Sequence, residues 1–109
     1  MRSPIRHNTI MKPTVIRYTT KPEHTQRNAQ LVEGVFRELG TAQPEGVRYL
    51  VLQLDDGTFI HVVAYDGDDA GLTGLRAFQQ FVDGGEERRA APPLRGEATV
   101  LGNYRMLTE

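Results

Sequence analysis

Two apolar runs face each other across a short acidic turn. Val47 to Leu54 reads Val-Arg-Tyr-Leu-Val-Leu-Gln-Leu, and Thr58 to Tyr65 reads Thr-Phe-Ile-His-Val-Val-Ala-Tyr. Both are rich in β-branched and aromatic residues, and Asp55-Asp56-Gly57 between them is a hairpin turn. Turn type decides which side chains share a face. A two-residue Asp-Gly turn pairs Asp55 with Thr58. A type I turn with a glycine bulge pairs Leu54 with Thr58. The second register sorts the chemistry more cleanly. Leu50, Leu52, Leu54, Ile60, Val62 and Ala64 then form one aliphatic face, expected to pack on helices. Val47, Tyr49, Val51, Gln53, Phe59, His61, Val63 and Tyr65 fall on the other. That second face is too apolar and aromatic to lie open to water. No element of the chain is left over to cover it, so a second copy is the simplest cover. The expected assembly is a homodimer whose sheets meet face to face.

The rest of the chain supplies the partners of this hairpin. Thr14 to Thr19 is a strand by the same criteria. Thr20-Lys21-Pro22-Glu23 has capping-box spacing, and Val32, Val35, Phe36 and Leu39 recur on one helical face, with Ala29 extending it. These mark a helix from about Lys21 to Leu39, with Gly40 as its stop. Asp66 to Gly74 reads as an acidic loop. Leu75, Phe78, Phe81 and Val82 mark a second helix, with Thr73 as its cap and a break at Gly84-Gly85. Glu97 to Met106 reads as the last strand. The order β-α-β-β-α-β predicts an α+β, ferredoxin-like domain, an antiparallel sheet with both helices on one face. Residues 1–11 are expected to be a disordered arm and residues 12–109 the single domain. Met11 precedes the first strand run and is either the biological start or part of a short tail.

Composition removes several chemistries. With 13 Lys and Arg against 14 Asp and Glu the net charge is −1, which argues against a nucleic-acid partner. There is no Cys, so no disulfide framework, zinc–thiolate site or Cys nucleophile. The 3 His have no metal-ligand spacing, and Asp66, Asp68 and Asp69 lack the glycine and glutamate of a calcium loop. The only Ser is Ser3, which excludes a serine-elbow hydrolase. No run approaches the ~20 apolar residues of a membrane span, and no signal peptide is evident. The expected location is cytoplasmic.

The pattern resembles the dimeric α+β barrel superfamily and, within it, the antibiotic biosynthesis monooxygenase-like proteins. The resemblance rests on Val15-Ile16-Arg17-Tyr18 and Lys21-Pro22-Glu23 opening the helix, then Pro44-Glu45-Gly46-Val47-Arg48-Tyr49. Leu54-Asp55-Asp56-Gly57-Thr58-Phe59-Ile60-His61-Val62 and Phe78-Gln79-Gln80-Phe81 follow. It spans roughly residues 12 to 106. It implies a dimeric α+β barrel and, as one activity among several, cofactor-independent oxygenation of quinol or phenolic small molecules. The chain has no Trp, which separates it from the haem-degrading members. No cofactor is expected. A non-catalytic small-molecule-binding or sensor dimer on the same fold is the alternative.

His61 is the central candidate, a mid-strand imidazole on an apolar and aromatic face. Such a group can act as a general base near neutral pH, or it can be a buried histidine hydrogen-bonded across a dimer. Tyr49 and Tyr65 flank it and can bond a phenol or quinone oxygen, or simply pack. Asn103 is a candidate oxyanion donor, so the catalytic set is His61, Tyr49 and Asn103. Tyr65, Arg17, Phe59 and Phe78 are the candidate substrate-binding residues. Arg17, mid-strand, needs an anionic ligand or a carboxylate if buried, and an exposed rim position if not. Arg88 and Arg89, beside Glu86 and Glu87, read as a solvated helix end with local ion pairs.

Overall fold

The computed structural model describes residues 12–106. The expected arm over residues 1–11 lies outside them. Strand β1 (Thr14–Thr19) leads through a 3-10 turn at Pro22–His24 into α1 (Thr25–Ala42). Strands β2 (Val47–Gln53) and β3 (Thr58–Tyr65) form the hairpin. Three short helices follow, α2 (Ala70–Thr73), α3 (Arg76–Val82) and α4 (Gly85–Arg88), and then β4 (Leu94–Glu97). The sheet order is β2-β3-β1-β4 with every pairing antiparallel, the ferredoxin-like α+β arrangement.

The hairpin adopts the bulged register. Thr58 C=O accepts from the Leu54 N–H at 2.8 Å, and the Gly57 N–H reaches back to the Leu54 C=O at 3.3 Å. Gly57 has φ +88°, a conformation that costs a glycine nothing. The Asp56 carboxylate accepts from the Thr58 N–H at 3.0 Å, which tightens the turn and holds the Asp56 carboxyl below its usual range.

The assignment of the two faces is reversed. The helices cover the aromatic face, not the aliphatic one. Val63 joins Val35 of α1 and Leu72 of α2 in the core, with Tyr49, Tyr65, Phe78 and Phe81 packed around them. Leu50, Leu52 and Leu54 are left 46%, 46% and 44% exposed. Both faces are apolar, so hydrophobicity does not discriminate between them. Crossover handedness places the helices on one side of β1, whichever face that is.

Other boundaries shift for local reasons. α1 runs through Gly40 to Ala42 and is capped by Gln43, whose backbone turns left-handed (φ 49°) before Pro44. Thr20 makes no capping box. Its hydroxyl donates instead to the Gly57 C=O at 3.0 Å, tying β1 to the hairpin turn. The expected loop contains α2. Leu75, not Thr73, precedes α3, and the Thr73 hydroxyl donates to the Asp69 C=O at 3.1 Å. The last strand is Leu94–Glu97 rather than Glu97–Met106. Its ladder on β1 ends at Thr14↔Glu97, with one more bond from the Ala98 N–H to the Pro13 C=O at 2.8 Å. Pro13 has no N–H to return, so the strand stops for want of a partner. Residues 98–106 continue without a ladder and leave Val100, Leu101, Tyr104 and Met106 exposed.

Candidate functional site

Alternation along β3 puts Phe59, His61 and Val63 on the helix side, and pairing carries Tyr18 and Tyr49 to the same side. The His61 ring is 4% exposed and sits between them. Its Nδ1 lies 2.7 Å from the Tyr49 hydroxyl and its Nε2 2.8 Å from the Tyr18 hydroxyl. Asn28 of α1 donates from Nδ2 to the Tyr18 hydroxyl at 3.0 Å. Arg88 of α4 donates from Nε to Asn28 Oδ1 at 2.8 Å. Five side chains from β1, α1, β2, β3 and α4 thus form one hydrogen-bonded chain: Tyr49, His61, Tyr18, Asn28, Arg88.

Aromatic rings enclose it. Phe81 of α3 stacks on His61 at 5.4 Å between centroids, Phe36 on Tyr49 at 5.0 Å, and Phe59 on Tyr18 at 5.6 Å. The Arg88 guanidinium lies 5.4 Å over the Phe81 ring and that of Arg89 5.9 Å over Tyr18. The chain reversal that brings Arg88 inward needs Gly84, at φ +75° between α3 and α4. The Arg88 C=O then accepts from the Lys21 N–H at 2.9 Å, which pins α4 to the end of β1.

Burial disfavours charge throughout this site. It pushes the His61 imidazolium down to about 4, so the ring is neutral at neutral pH. It pushes the Tyr49 phenol up, with Tyr18 and Tyr65 adding to the effect. Tyr18 is also raised by burial, opposed by the Asn28 hydrogen bond and by Arg88 and Arg89. A resting role for His61 as a base near neutral pH does not suit these surroundings. Both of its nitrogens are already engaged by protein hydroxyls.

The sequence-predicted residues divide between the two sides of the sheet. His61, Tyr49 and Phe59 meet, and Tyr65 and Phe78 pack at the edge of the same core. Arg17 does not join them. Its neighbour Ile16 pairs with His61, so Arg17 alternates to the open face opposite Ile60 and is exposed. Asn103 stands in the exposed segment beyond β4, where its Oδ1 accepts from the Met106 N–H at 3.1 Å. Arg88 is not solvated but 7% exposed. Tyr18, Asn28 and Arg88 escaped the sequence reading. Asn28 was within reach, because it lies one turn before Val32 on the apolar side of α1.

A cleft of about 380 Å³ opens beside α3 and α4, lined by residues including Phe81, Asp83, Gly85 and Arg89. Phe81 stands between this cleft and His61. Among the described residues no group of three or more His, Cys, Asp or Glu is placed to hold a metal ion. Among them no helix is long and apolar enough to cross a membrane.

No protein-family model matches the chain. No curated protein matches it either. Solved structures do. A protein of Nitrosomonas europaea, proposed to be an antibiotic biosynthesis monooxygenase, superposes with a TM-score of 0.68 at 18% identity, over 84% of this chain and 91% of that one. A conserved protein from Methanosarcina mazei superposes with a TM-score of 0.68 at 17% identity, over 87% and 97%. A structure described as an antibiotic biosynthesis monooxygenase gives 0.64 at 14% identity, over 84% and 99%. The chain therefore has the ferredoxin-like α+β fold of the antibiotic biosynthesis monooxygenase-like proteins.

Proposed function

We propose that this chain works as a homodimer, joined through its open sheet face, and oxygenates a phenolic or quinol-like small molecule without a cofactor. The observation that carries the reading is the Tyr49–His61–Tyr18 chain, which ends at the hydroxyl of the half-buried Tyr49. A site that resists charge on its own groups can still favour charge on a ligand, by directing a preorganised donor at it. In this reading the substrate phenol binds against Tyr49, loses its proton to water, and is held as the phenolate. The phenolate gives one electron to dioxygen. The resulting superoxide and phenoxyl combine at a ring carbon to form a C–O bond, and protonation yields the hydroperoxide. Loss of the ring C–H proton and cleavage of the O–O bond release water and leave a quinone. One oxygen atom enters the substrate and the other leaves as water.

Dioxygen uptake over a panel of quinols and phenols is the test. Uptake with at least one of them, reduced about 100-fold by Tyr49→Phe, is expected from the loss of one oxyanion donor. The non-catalytic reading also has support, because rings pack against His61 and Phe81 closes it from the adjoining cleft. Binding of a phenol with no oxygen uptake across the panel would favour that alternative. A single chain in solution would remove the dimer.

A further inference from the structure

We propose that Arg88 is a positioning residue that sets the direction of the buried hydrogen-bond chain. Tyr49 thereby keeps its O–H free of protein acceptors as a donor, and the site takes an ionised oxygen, a phenolate or enolate, in preference to a neutral ether or an ammonium group. The ligand half of this inference rests on the proposed function. The direction of the chain stands without it.

The direction follows from the one member that cannot choose. A guanidinium has five N–H donors and no acceptor. Arg88 gives Nε–H to Asn28, Nη1–H to the Asp83 C=O at 3.0 Å and Nη2–H to the Phe81 C=O. All three acceptors are neutral, and no carboxylate pairs with Arg88 among the described residues. The nearby charges that act on it, Arg89 and Arg27, are also positive. Facing that donor, the Asn28 amide must present Oδ1, which turns its Nδ2–H toward Tyr18. The Tyr18 oxygen is then an acceptor from Asn28, and its single hydrogen is free for His61 Nε2. In the opposite sense Tyr18 would accept twice. Its own hydrogen would then have no acceptor in a buried position, since Asn28 and His61 are its hydrogen-bond partners there.

With Nε2 accepting, the neutral imidazole carries its hydrogen on Nδ1 and donates it to the Tyr49 oxygen. The last hydrogen left over is that of Tyr49. His61 is the only hydrogen-bond partner of the Tyr49 hydroxyl among the described residues, and the Tyr49 side chain is partly exposed where Tyr18 is 7% exposed, so the leftover hydrogen falls on the tyrosine nearer to water. Four hydrogen bonds in series run in the same sense, from a buried cation to the one O–H left without an acceptor among the described residues. Bonds aligned in this way polarise one another and strengthen the terminal donor. An ammonium ligand would have to share the Tyr49 oxygen with the His61 N–H and would face the Tyr49 hydrogen as well. A negative oxygen meets a donor backed by an unpaired guanidinium.

Two measurements test this separately. Long-range nitrogen–proton correlation spectra of the wild-type chain read the His61 tautomer directly and need no variant. The expected result is hydrogen on Nδ1 and a bare Nε2. Hydrogen on Nε2 overturns the direction. In Arg88→Met the Asn28 amide is released, and the Nδ1–H form is expected to give way to a mixture, with Arg88→Lys restoring it in part. An Arg88→Met spectrum identical to wild type would remove Arg88 from the role. The ligand half is read with 4-nitrophenol, whose absorbance reports its ionisation, against 4-nitroanisole. Wild type should bind the phenolate and not the ether, with affinity about ten-fold weaker in Arg88→Met. If neither binds while His61 keeps hydrogen on Nδ1, the phenol reading fails and the directed chain survives. Equal affinity for the phenolate and the ether overturns the selectivity.

Discussion

The two faces of one sheet differ in what they ask of the rest of the molecule. The helix-side face carries polar atoms, and the most deeply buried are met: both His61 nitrogens, the Tyr18 hydroxyl and the Asn28 amide all have partners within the chain. Beside Arg17 and Arg48, the open face carries Val15, Leu50, Leu52, Leu54, Ile60 and Val62, which need only an apolar surface. Polar burial is directional and demands partners at fixed distances, so it is completed within one chain. Aliphatic burial is non-directional, so it can be left for a second copy. The apparently worse face for a core, with its histidine and tyrosines, is therefore the one the helices cover.

This contrast can be broken most severely from the helix side. Phe59→Ala removes a fully buried ring that stacks on Tyr18 and should cost about 3–5 kcal/mol of unfolding free energy. A loss under about 1 kcal/mol in urea titrations would show that this face is loosely packed.

Next comes pH. The native His61 value is about 4 against an ordinary 6.5, so the unfolded chain binds more protons between those values. Stability is then fully present above about pH 6.5 and is lost as pH falls through about 4, by about 3 kcal/mol in all. Unfolding at a series of pH values should show that slope, and His61→Gln should flatten it. An unchanged slope in the variant would assign the effect to other groups.

Asn28→Ala should cost about 1–3 kcal/mol, because it leaves a buried Arg88 N–H without its acceptor. A shift in the denaturation midpoint at constant slope is the expected sign.

The smallest thermodynamic effect belongs to the open face. Leu52→Lys should change the stability of the separated chain by no more than about 0.5 kcal/mol, since the site is already half in water. Light scattering should nevertheless show the solution mass falling from two chains to one. A pair that survives this lysine would place the interface elsewhere and spoil the comparison.

Much of the fold was legible because it is locally encoded. The bulged hairpin follows from Asp56, Gly57 and the alternation on either side. α1 follows from Val32, Val35 and Leu39. His61, Tyr49 and Tyr65 sharing a face follows from parity alone. The remaining members of the site were harder, for different reasons. Asn28 is marked by helical spacing but looks like an ordinary surface residue. Tyr18 is one aromatic among β-branched neighbours. Arg88 sits in Glu86-Glu87-Arg88-Arg89, the local pattern of a solvated turn. The break at Gly84-Gly85 is legible nearby, but it does not reveal that a left-handed Gly84 folds Arg88 back onto Asn28, sixty residues away.

By itself the sequence determined the order of elements, the hairpin register and the grouping of side chains into two faces. Each of these depends on periodicity and turn chemistry over a few residues. The tertiary structure alone decided which face the helices cover, where β4 ends and which residues close the chain around His61. Those outcomes depend on the handedness of a crossover, on a proline without an N–H opposite a strand end, and on contacts between distant segments. Local pattern cannot carry such information when both faces of a sheet are apolar.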